Sequence, residues 1–323
     1  MAAIEDGPSK KHEHSEQSAI GASWPRADAL EKVRGSLAYT DDRRLSGLLH
    51  SDLVHAVVIR SERPHAEILS IDTDMALAQP RVLRVLTHYD VPGELYYGKA
   101  IADMPCLCED RVRFVGDAIC VVVAEDLKTA RQAARLVNVE YADLPVVTDC
   151  IGAMAAGAVL VHSGGNVAAK QKLRKGNIEE AFSAADLVVG GEYQTQMVEH
   201  ACLEVEAALA YIEQGSLVVE APSQNVYFDR REIARITGWE KKKVVVRQMP
   251  MGAAFGKRED LCAQHHAALA TIALGGRPVK ITLSRQESFA CTTKRHPFSM
   301  SYQVAARRDG TLLGLKANIV ADT

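Results

Sequence analysis

The sequence contains no long hydrophobic run and no marked excess of charge of one sign. Its apolar runs stay below the roughly 20 residues that cross a bilayer, so we expect a soluble protein without a membrane partner. The formal net charge is -3 at pH 7, which gives no electrostatic reason to expect a nucleic-acid partner. Residues 1–24 lack the apolar core of a secretory signal, and we interpret them as a disordered tail.

The chain also lacks the paired-cysteine motifs that are typical of zinc and iron–sulfur sites. Its seven cysteines include no Cys-x-x-Cys pair, a usage that favours reduced thiols in the cytoplasm. Cys106 and Cys108 come nearest to a metal site, but such sites need four ligands at compatible spacings. We therefore expect one of these two thiols to be packed and the other to be exposed.

The length and the hydrophobic pattern predict two α/β domains. The 323 residues, 47% of them hydrophobic, are enough for about two domains of roughly 100 to 200 residues. Strands alternate with short helices over residues 25–150, where Asp126 is placed to cap a helix between two strands. Residues 151–175 are rich in Gly and Ala and are interpreted as a linker. Residues 176–323 then form a second domain, whose first helix Asn177 would cap.

A loop of small residues follows one predicted strand of the second domain. The segment GAAFGKRED begins at Gly252, after the strand KKVVVRQM and before a helix predicted over 261–274. Backbone N–H groups at a strand–loop–helix junction can bind an anion. A phosphate loop does not fit, because Gly252 and Gly256 enclose three residues rather than four and no Ser or Thr follows the lysine. A tight turn kept small for packing is the structural alternative.

This loop is one of several ordered motifs that together resemble the molybdenum-binding subunits of the xanthine dehydrogenase and aldehyde oxidase family. The motifs are RSERPHAEILSID, VRFVGDAICVVVAED, EYQTQMVEHACLEVEAALA, APSQNVYFDRREIA and the loop itself. The resemblance covers residues 27–323. It implies a hammerhead-type α/β domain followed by the N-terminal part of an α/β molybdopterin-binding domain.

The resemblance also implies a molybdopterin site around the loop. Phe255 matches the phenylalanine whose backbone approaches the molybdenum, and Gln224 matches the glutamine whose amide lies beside the metal. Gly252, Ala254 and Gly256 would let the backbone come close to the cofactor, with N–H donors from Gly256 and from the start of the following helix. For Gln224, the alternative is a glutamine at a strand end that binds local backbone.

Glu259 matches the loop glutamate that orients the heterocycle in purine-oxidising members of the family. The alternative is that its charge only stabilises the first turn of the next helix. The loop also departs from the family pattern, which often has glycine at Ala253 and Ala254 and has Gly-Lys where this chain has Lys257 and Arg258.

Other polar residues near these motifs are expected to be structural. We expect Glu199, His200 and Glu204 to form a satisfied polar cluster. His265 and His266 are adjacent on a predicted helix and should point about 100° apart, which argues against joint chelation of a metal. We expect these two histidines to be packing or surface residues.

The resemblance implies part of a molybdenum hydroxylase that oxidises purines or related N-heterocycles with oxygen derived from water. The alternatives are an aldehyde-oxidising member, or a truncated remnant or assembly module without catalysis. The chain shows no Fe–S cysteine motif and no flavin fingerprint, so Fe–S clusters and FAD would lie on partner subunits. No catalytic base is assigned in this chain, because the family's glutamate would lie beyond Thr323 on a chain that carries the rest of the molybdopterin domain. We expect the isolated chain to be inactive.

Overall fold

The computed structural model describes residues 20–44 and 53–322, and the chain divides into two compact units at Ala38. The described part of the first unit contains helix α1, Ala29–Arg34, which ends at Gly35 with a left-handed φ of 68°. Most of the tail predicted over residues 1–24 lies outside the described residues. All further elements belong to the second unit.

The second unit is built from many short strands and few helices. Its strands are β1 Val54–Arg60, β2 Ala66–Asp72, β3 Val82–Leu86, β4 Tyr96–Tyr97, β5 Met104–Pro105, β6 Arg111–Val112, β7 Ala118–Ala124, β8 Asn138–Asp143, β9 Leu187–Thr195, β10 Ala207–Glu213, β11 Ser216–Ala221, β12 Val244–Gln248, β13 Val279–Thr282, β14 Phe298–Ala306 and β15 Leu312–Ala321. Its helices are α2 Asp74–Leu77, α3 Leu127–Ala134, α4 Cys150–Ala153, α5 Ile178–Ser183, α6 Val226–Thr237, α7 Gln264–Ala273 and α8 Arg285–Cys291.

A mixed seven-stranded sheet joins the two halves of the sequence. Its strand order is β12-β11-β10-β13-β1-β7-β3. Strand β1 runs parallel to β13, with Val54 opposite Val279, so strands from both sides of the predicted linker share one sheet. The domain boundaries inferred from the sequence stay a prediction. Smaller sheets of three strands, β15-β14-β9 and β6-β2-β8, lie outside this one.

The main core lies between the large sheet and helices α6 and α7. Strand β7 is buried along its whole length, and Val219, Ile233, Ala267 and Ile281 belong to one buried cluster. Helix α7 is rich in alanine, and each residue from Gln264 to Thr271 is buried. The alanine side chains are small, so this helix can pack closely against the sheet.

Several local predictions are confirmed. The order β7–α3–β8 is as expected, and the Asp126 side chain accepts a hydrogen bond of 2.8 Å from the Thr129 N–H. Asn177 caps α5, and α6 ends at Gly238, whose φ is 68°. However, β7 and β8 lie in different sheets, because β8 pairs with β2.

Three expectations are wrong or incomplete. Helix α7 begins at Gln264 rather than at residue 261. Helix α8 was not predicted, although Ser284 and Glu287 form a reciprocal capping box at its start. Cys106 and Cys108 are both buried, because Cys108 packs into a separate apolar cluster instead of facing solvent.

All seven cysteines are free thiols. No helix within the described ranges is both long enough and apolar enough to cross a membrane.

Candidate functional site

The loop after β12 and the turn between β11 and α6 meet at one place, as expected from the motifs. The backbone N–H of Gln224 donates a hydrogen bond of 3.0 Å to the carbonyl oxygen of Arg258. Asn225 caps α6 by accepting a hydrogen bond from the Phe228 N–H. The end of β11 and the start of α6 therefore hold Gln224 against the loop.

Glu259 lies between Gln224 and a lysine from the first half of the chain. Gln224 Nε2 donates a hydrogen bond of 2.9 Å to Glu259 Oε1, and Lys99 Nζ lies 2.5 Å from Glu259 Oε2. Hydrogen bonds from Lys99 and then Gln224 lower the pKa of Glu259 below its ordinary value. The Glu259 side chain is 39% exposed, so at neutral pH the turn presents a carboxylate to solvent.

The contacts of these residues differ from those that the structural alternatives describe, and the roles inferred for both residues stay predictions. The Gln224 side chain binds a carboxylate rather than local backbone. Glu259 ends a short 3-10 turn, Lys257–Glu259, and Asp260 follows with extended backbone. Helix α7 begins only at Gln264, so Glu259 is not in its first turn.

Phe255 occupies a conformation that is rare for residues with a side chain. Its φ is 52°, which costs a non-glycine residue roughly 1 to 2 kcal/mol, and its side chain is largely exposed, at 77% for the whole residue. Gly256 follows with a φ of 98°. Within the described chain, no hydrogen bond from the backbone N–H of Phe255 or Gly256 is found. Two unused donors therefore follow each other at the tip of the loop.

The small residues of the loop have specific neighbours. The Gly252 N–H donates to Glu204 Oε2 at 2.8 Å, and a Cβ at this position would lie 3.0 Å from the Cβ of Glu204. The Ala254 carbonyl accepts hydrogen bonds from the Lys257 N–H at 2.8 Å and from the Cys202 thiol at 3.4 Å. These contacts hold the backbone of the loop at Gly252 and Ala254, whereas Phe255 at its tip is exposed to solvent.

Lys257 and Arg258, where the chain departs from the family pattern, anchor the loop to the buried Glu206 and to half-buried acids. Lys257 is 0% exposed, and its Nζ lies 2.5 Å from Glu199 Oε1 and 3.6 Å from Glu206 Oε1. Arg258 donates to Glu206 Oε1 at 3.0 Å and to the Glu204 carbonyl at 2.8 Å. Both basic side chains therefore point inward, away from the tip.

Glu199 is charged within this network. Burial acts to raise the pKa of Glu199, but hydrogen bonds from Lys257 and Lys294 outweigh it and lower that pKa to about 2. The expected structural role of Glu199 and Glu204 is confirmed by these contacts. His200 is different, because its buried Nδ1 has no hydrogen-bond partner among the described residues.

The expectation that the following helix would donate N–H groups toward a cofactor stays a prediction. Lys257 and Arg258 turn inward to the acids, and the extended Asp260 leads the chain away before α7 starts. The N–H groups of Cys262 and Ala263 instead donate to the Gln264 side chain at 2.9 Å each. These two amides, which precede the first residue of α7, are therefore satisfied locally.

The donors that remain at the tip fit an oxygen-rich, anionic cofactor. Successive unused backbone N–H groups form an anion-binding concavity, and Phe255 and Gly256 provide such a pair. The amide of Gln224 has two N–H donors, of which Glu259 takes one. Since Lys257 and Arg258 are paired elsewhere, the donors that the loop itself offers at its tip are neutral.

Two features of the surroundings differ from what the motifs indicate. Lys99 was not predicted, because it lies 160 positions before Glu259.

His265 and His266 are buried as a packing role requires, and burial lowers the pKa of both, that of His266 to about 3. The prediction that they diverge is wrong. Their ring centroids lie 3.8 Å apart, because side-chain rotation offsets the angle between adjacent helical positions.

Two family profiles match the chain. One is described as "Aldehyde oxidase and xanthine dehydrogenase, a/b hammerhead domain" and matches residues 34–145. The other is described as "Molybdopterin cofactor-binding domain" and matches residues 161–323. Together they confirm the expected fold class, a hammerhead-type α/β domain followed by a partial α/β molybdopterin-binding domain, and the expected molybdopterin cofactor.

Curated relatives and solved structures agree with these profiles. The chain is 39% identical to a probable xanthine dehydrogenase subunit of Bacillus subtilis (strain 168), over 92% of this chain and 39% of that protein. It is 33% identical to the nicotinate dehydrogenase large molybdopterin subunit of Eubacterium barkeri, over 94% of this chain and 70% of that subunit. Aldehyde oxidoreductase from Desulfovibrio gigas has a similar structure, with a TM-score of 0.87, 32% identity and coverage of 94% of this chain and 34% of that one. The chain thus spans about two fifths of the length of the Bacillus relative.

Proposed function

Because this chain belongs to the aldehyde oxidase and xanthine dehydrogenase family and contains its molybdopterin cofactor-binding domain, we propose that it forms the cofactor-binding and substrate-orienting loop of a molybdenum hydroxylase. The substrates proposed are purines or related N-heterocycles. The observation that carries this proposal is the Gln224–Glu259–Lys99 arrangement at the base of the loop. In this arrangement the amide of Gln224 and the carboxylate of Glu259, which Lys99 holds in position, lie side by side and are exposed to solvent.

Gln224, Phe255 and Gly256 hold the cofactor in this proposal. The unused N–H groups of Phe255 and Gly256 and the second N–H of the Gln224 amide donate to its oxygen atoms. Gly252 and Ala254 keep the approach free of bulky side chains. When bound, the molybdenum centre supplies the oxygen-transfer chemistry and accepts the two electrons of the oxidation.

Glu259 orients the substrate in this proposal. A carboxylate has about four acceptor positions, of which Gln224 and Lys99 use one each, so acceptor positions remain for N–H groups of a heterocycle. Lys99 keeps the carboxylate ionised, and its ammonium also offers a donor to ring nitrogen, carbonyl or carboxylate groups of a substrate. A simple aldehyde has no N–H group and would leave the acceptor positions of Glu259 unused.

Partner subunits carry the electrons away in this proposal. Five of the seven cysteines are buried, and the one close group of three metal-ligating side chains found in the described chain combines a single cysteine with two histidines. An Fe–S cluster needs several thiolates, so we place Fe–S and FAD on partner chains. Relatives are named as subunits, which favours a heteromeric complex.

The proposal is tested by purifying the native complex through an affinity tag on this chain. Molybdenum, iron and flavin are then quantified, and turnover of xanthine, hypoxanthine, nicotinate and benzaldehyde is measured with an artificial electron acceptor. We expect stoichiometric molybdenum and kcat/KM values that favour at least one of the heterocycles. A complex that contains molybdenum but oxidises only benzaldehyde would overturn the substrate assignment, and a chain recovered without molybdenum would overturn the proposed role.

A further inference from the structure

A small cavity lies beside the start of α7. Its volume is about 30 Å³, and Cys106, His265 and His266 line it. One ligand atom from each of these three side chains lies within 4.8 Å of the other two, and all three residues are buried. The cavity has room for a single ion or water molecule and for nothing larger.

A backbone contact fixes the tautomer of His266. His266 Nε2 lies 2.8 Å from the Cys106 carbonyl oxygen, which can only accept, so Nε2 carries the proton and Nδ1 is the free base. Nδ1 of His266 and Nδ1 of His265 are both buried, and neither accepts a hydrogen bond from a described residue. Histidines that bind metals commonly donate their other N–H to a backbone carbonyl, which fixes the tautomer. His266 already makes that contact.

One cysteine and two histidines are ligands that favour Zn²⁺. A thiolate together with neutral imidazoles suits Zn²⁺, whose usual sites are tetrahedral with Cys and His ligands. Ligand atoms around Zn²⁺ lie about 3.5 Å apart, as follows from bond lengths of about 2.0 to 2.3 Å. Zinc binding therefore requires these three atoms, which lie within 4.8 Å of one another, to approach to that spacing. The thiols of Cys262 and Cys291, which line the same cavity, or a water molecule, can complete four-fold coordination.

We propose that Cys106, His265 and His266 form a structural zinc site that joins the two halves of the unit. Cys106 follows β5 in the first half of the sequence, and both histidines lie on α7 in the second half. On binding, the Cys106 S–H bond breaks, the thiolate binds Zn²⁺, and the proton passes to the buffer. No oxidation occurs. The zinc stabilises the folded chain and takes no part in the proposed hydroxylation.

The charged residues beside the cavity allow a test of whether it binds a cation or an anion. Arg60 and Asp117 both line the cavity, and Arg60 Nε and Nη2 are buried without a hydrogen-bond partner among the described residues. The guanidinium opposes a cation, whereas it would favour an anion in the same cavity. Arg60→Met should therefore tighten zinc binding, and the same change would weaken the binding of an anion such as chloride.

The experiment uses the full chain, purified with a histidine-free tag from zinc-supplemented cells. We expect about one zinc per chain after gel filtration without chelator, and Co²⁺ substitution should give the absorption band of a thiolate–cobalt bond. Cys106→Ser and His266→Gln should each lower zinc content at least about tenfold. The matched controls are Cys120→Ser, at an equally buried cysteine of β7 outside the cavity, and His65→Gln, at another buried histidine.

The controls should keep zinc at the level of the unsubstituted chain. If Cys106→Ser fails to fold, the cobalt spectrum of the unsubstituted chain still decides whether a thiolate is a ligand. Absence of bound zinc in the folded chain, a cobalt complex without a thiolate band, or zinc retained in both site variants would each overturn the site. A structural water would then be the occupant of the cavity.

Discussion

The side-chain amide of Gln224 donates a hydrogen bond of 2.9 Å to Oε1 of Glu259. The proposed cofactor-side residue and the proposed substrate-side residue are therefore mechanically linked. A change at one alters the position of the other, and single substitutions are expected to be non-additive. For this reason the experiments below separate metal content, turnover and substrate preference.

Gln224→Ala in the assembled complex should lower kcat about 100-fold or more. Loss of one preorganised donor beside a reacting centre commonly has an effect of this size, and the exposed side chain contributes little to folding. Molybdenum content and thermal stability should stay unchanged. Gln248→Ala is the control, because Gln248 also ends a strand but its side chain binds the neighbouring Met249 carbonyl. Equal activity of the two variants would remove Gln224 from the site.

Glu259→Ala should change substrate preference more than it changes overall activity. A hydrogen bond to a charged group contributes roughly 1.5 to 3 kcal/mol, or about one to two decades in kcat/KM. We expect that loss for xanthine or hypoxanthine and a much smaller one for benzaldehyde. The ratio of the two kcat/KM values is the measurement. A uniform loss for all substrates would show that Glu259 only positions Gln224.

Lys99→Met should move the acid limb of the kcat/KM profile for the heterocycle to higher pH. Lys99 is the largest cause that lowers the pKa of Glu259, so without it the carboxylate is protonated at a higher pH. The unsubstituted complex should keep its activity further into the acid range. Any stability that this depressed pKa contributes is present above the ordinary pKa of a glutamate and is lost as pH falls through the folded-state value.

The control for this measurement is Lys242→Met, which removes an exposed partner of Glu240 and lies far from Lys99 in sequence. It should leave the pH profile in place. An unchanged acid limb in Lys99→Met would show either that Glu259 does not act on the substrate or that another group sets this limb, and the Glu259→Ala ratio distinguishes the two.

The sequence predicts those features that neighbouring residues determine. Asp126 and Asn177 cap their helices because the side chain and the N–H that it accepts from are three residues apart. The end of α6 is also determined locally, because Gly238 adopts the left-handed backbone conformation that glycine favours. Ser284 and Glu287 carried the same kind of signal for α8, so that helix could also have been predicted.

Features that depend on contacts between distant residues could not be predicted in this way. The pairing of Val54 with Val279 and the contact between Lys99 and Glu259 both follow from tertiary packing. For His265 and His266, helical periodicity fixes the direction of each Cα–Cβ bond but not the rotamer that brings the rings together. The inward direction of the Lys257 side chain depends on Glu199 and Glu206, which lie outside the loop motif.

Lys257→Met should lower the free energy of unfolding of the chain by about 3 to 5 kcal/mol. Removal of one partner from a buried ion pair has this effect because the remaining charge loses its compensation, and here Lys257 contacts both Glu199 and Glu206. Methionine fills a similar volume, so the loss of packing is small. Urea unfolding followed by circular dichroism measures the change. Lys316→Met is the control, since Lys316 makes an exposed pair with Glu179 and such pairs contribute about 0 to 1 kcal/mol.

A double-substitution cycle with Glu199→Gln identifies the source of the loss. If the Lys257–Glu199 contact anchors the loop, the two changes should be coupled by roughly 0.5 to 3 kcal/mol, since Lys294 is the cationic partner that Glu199 keeps when Lys257 is gone. Strict additivity would assign the stabilisation to Glu206 instead. A loss in Lys257→Met no larger than that in the surface control would show that the buried network does not hold the loop.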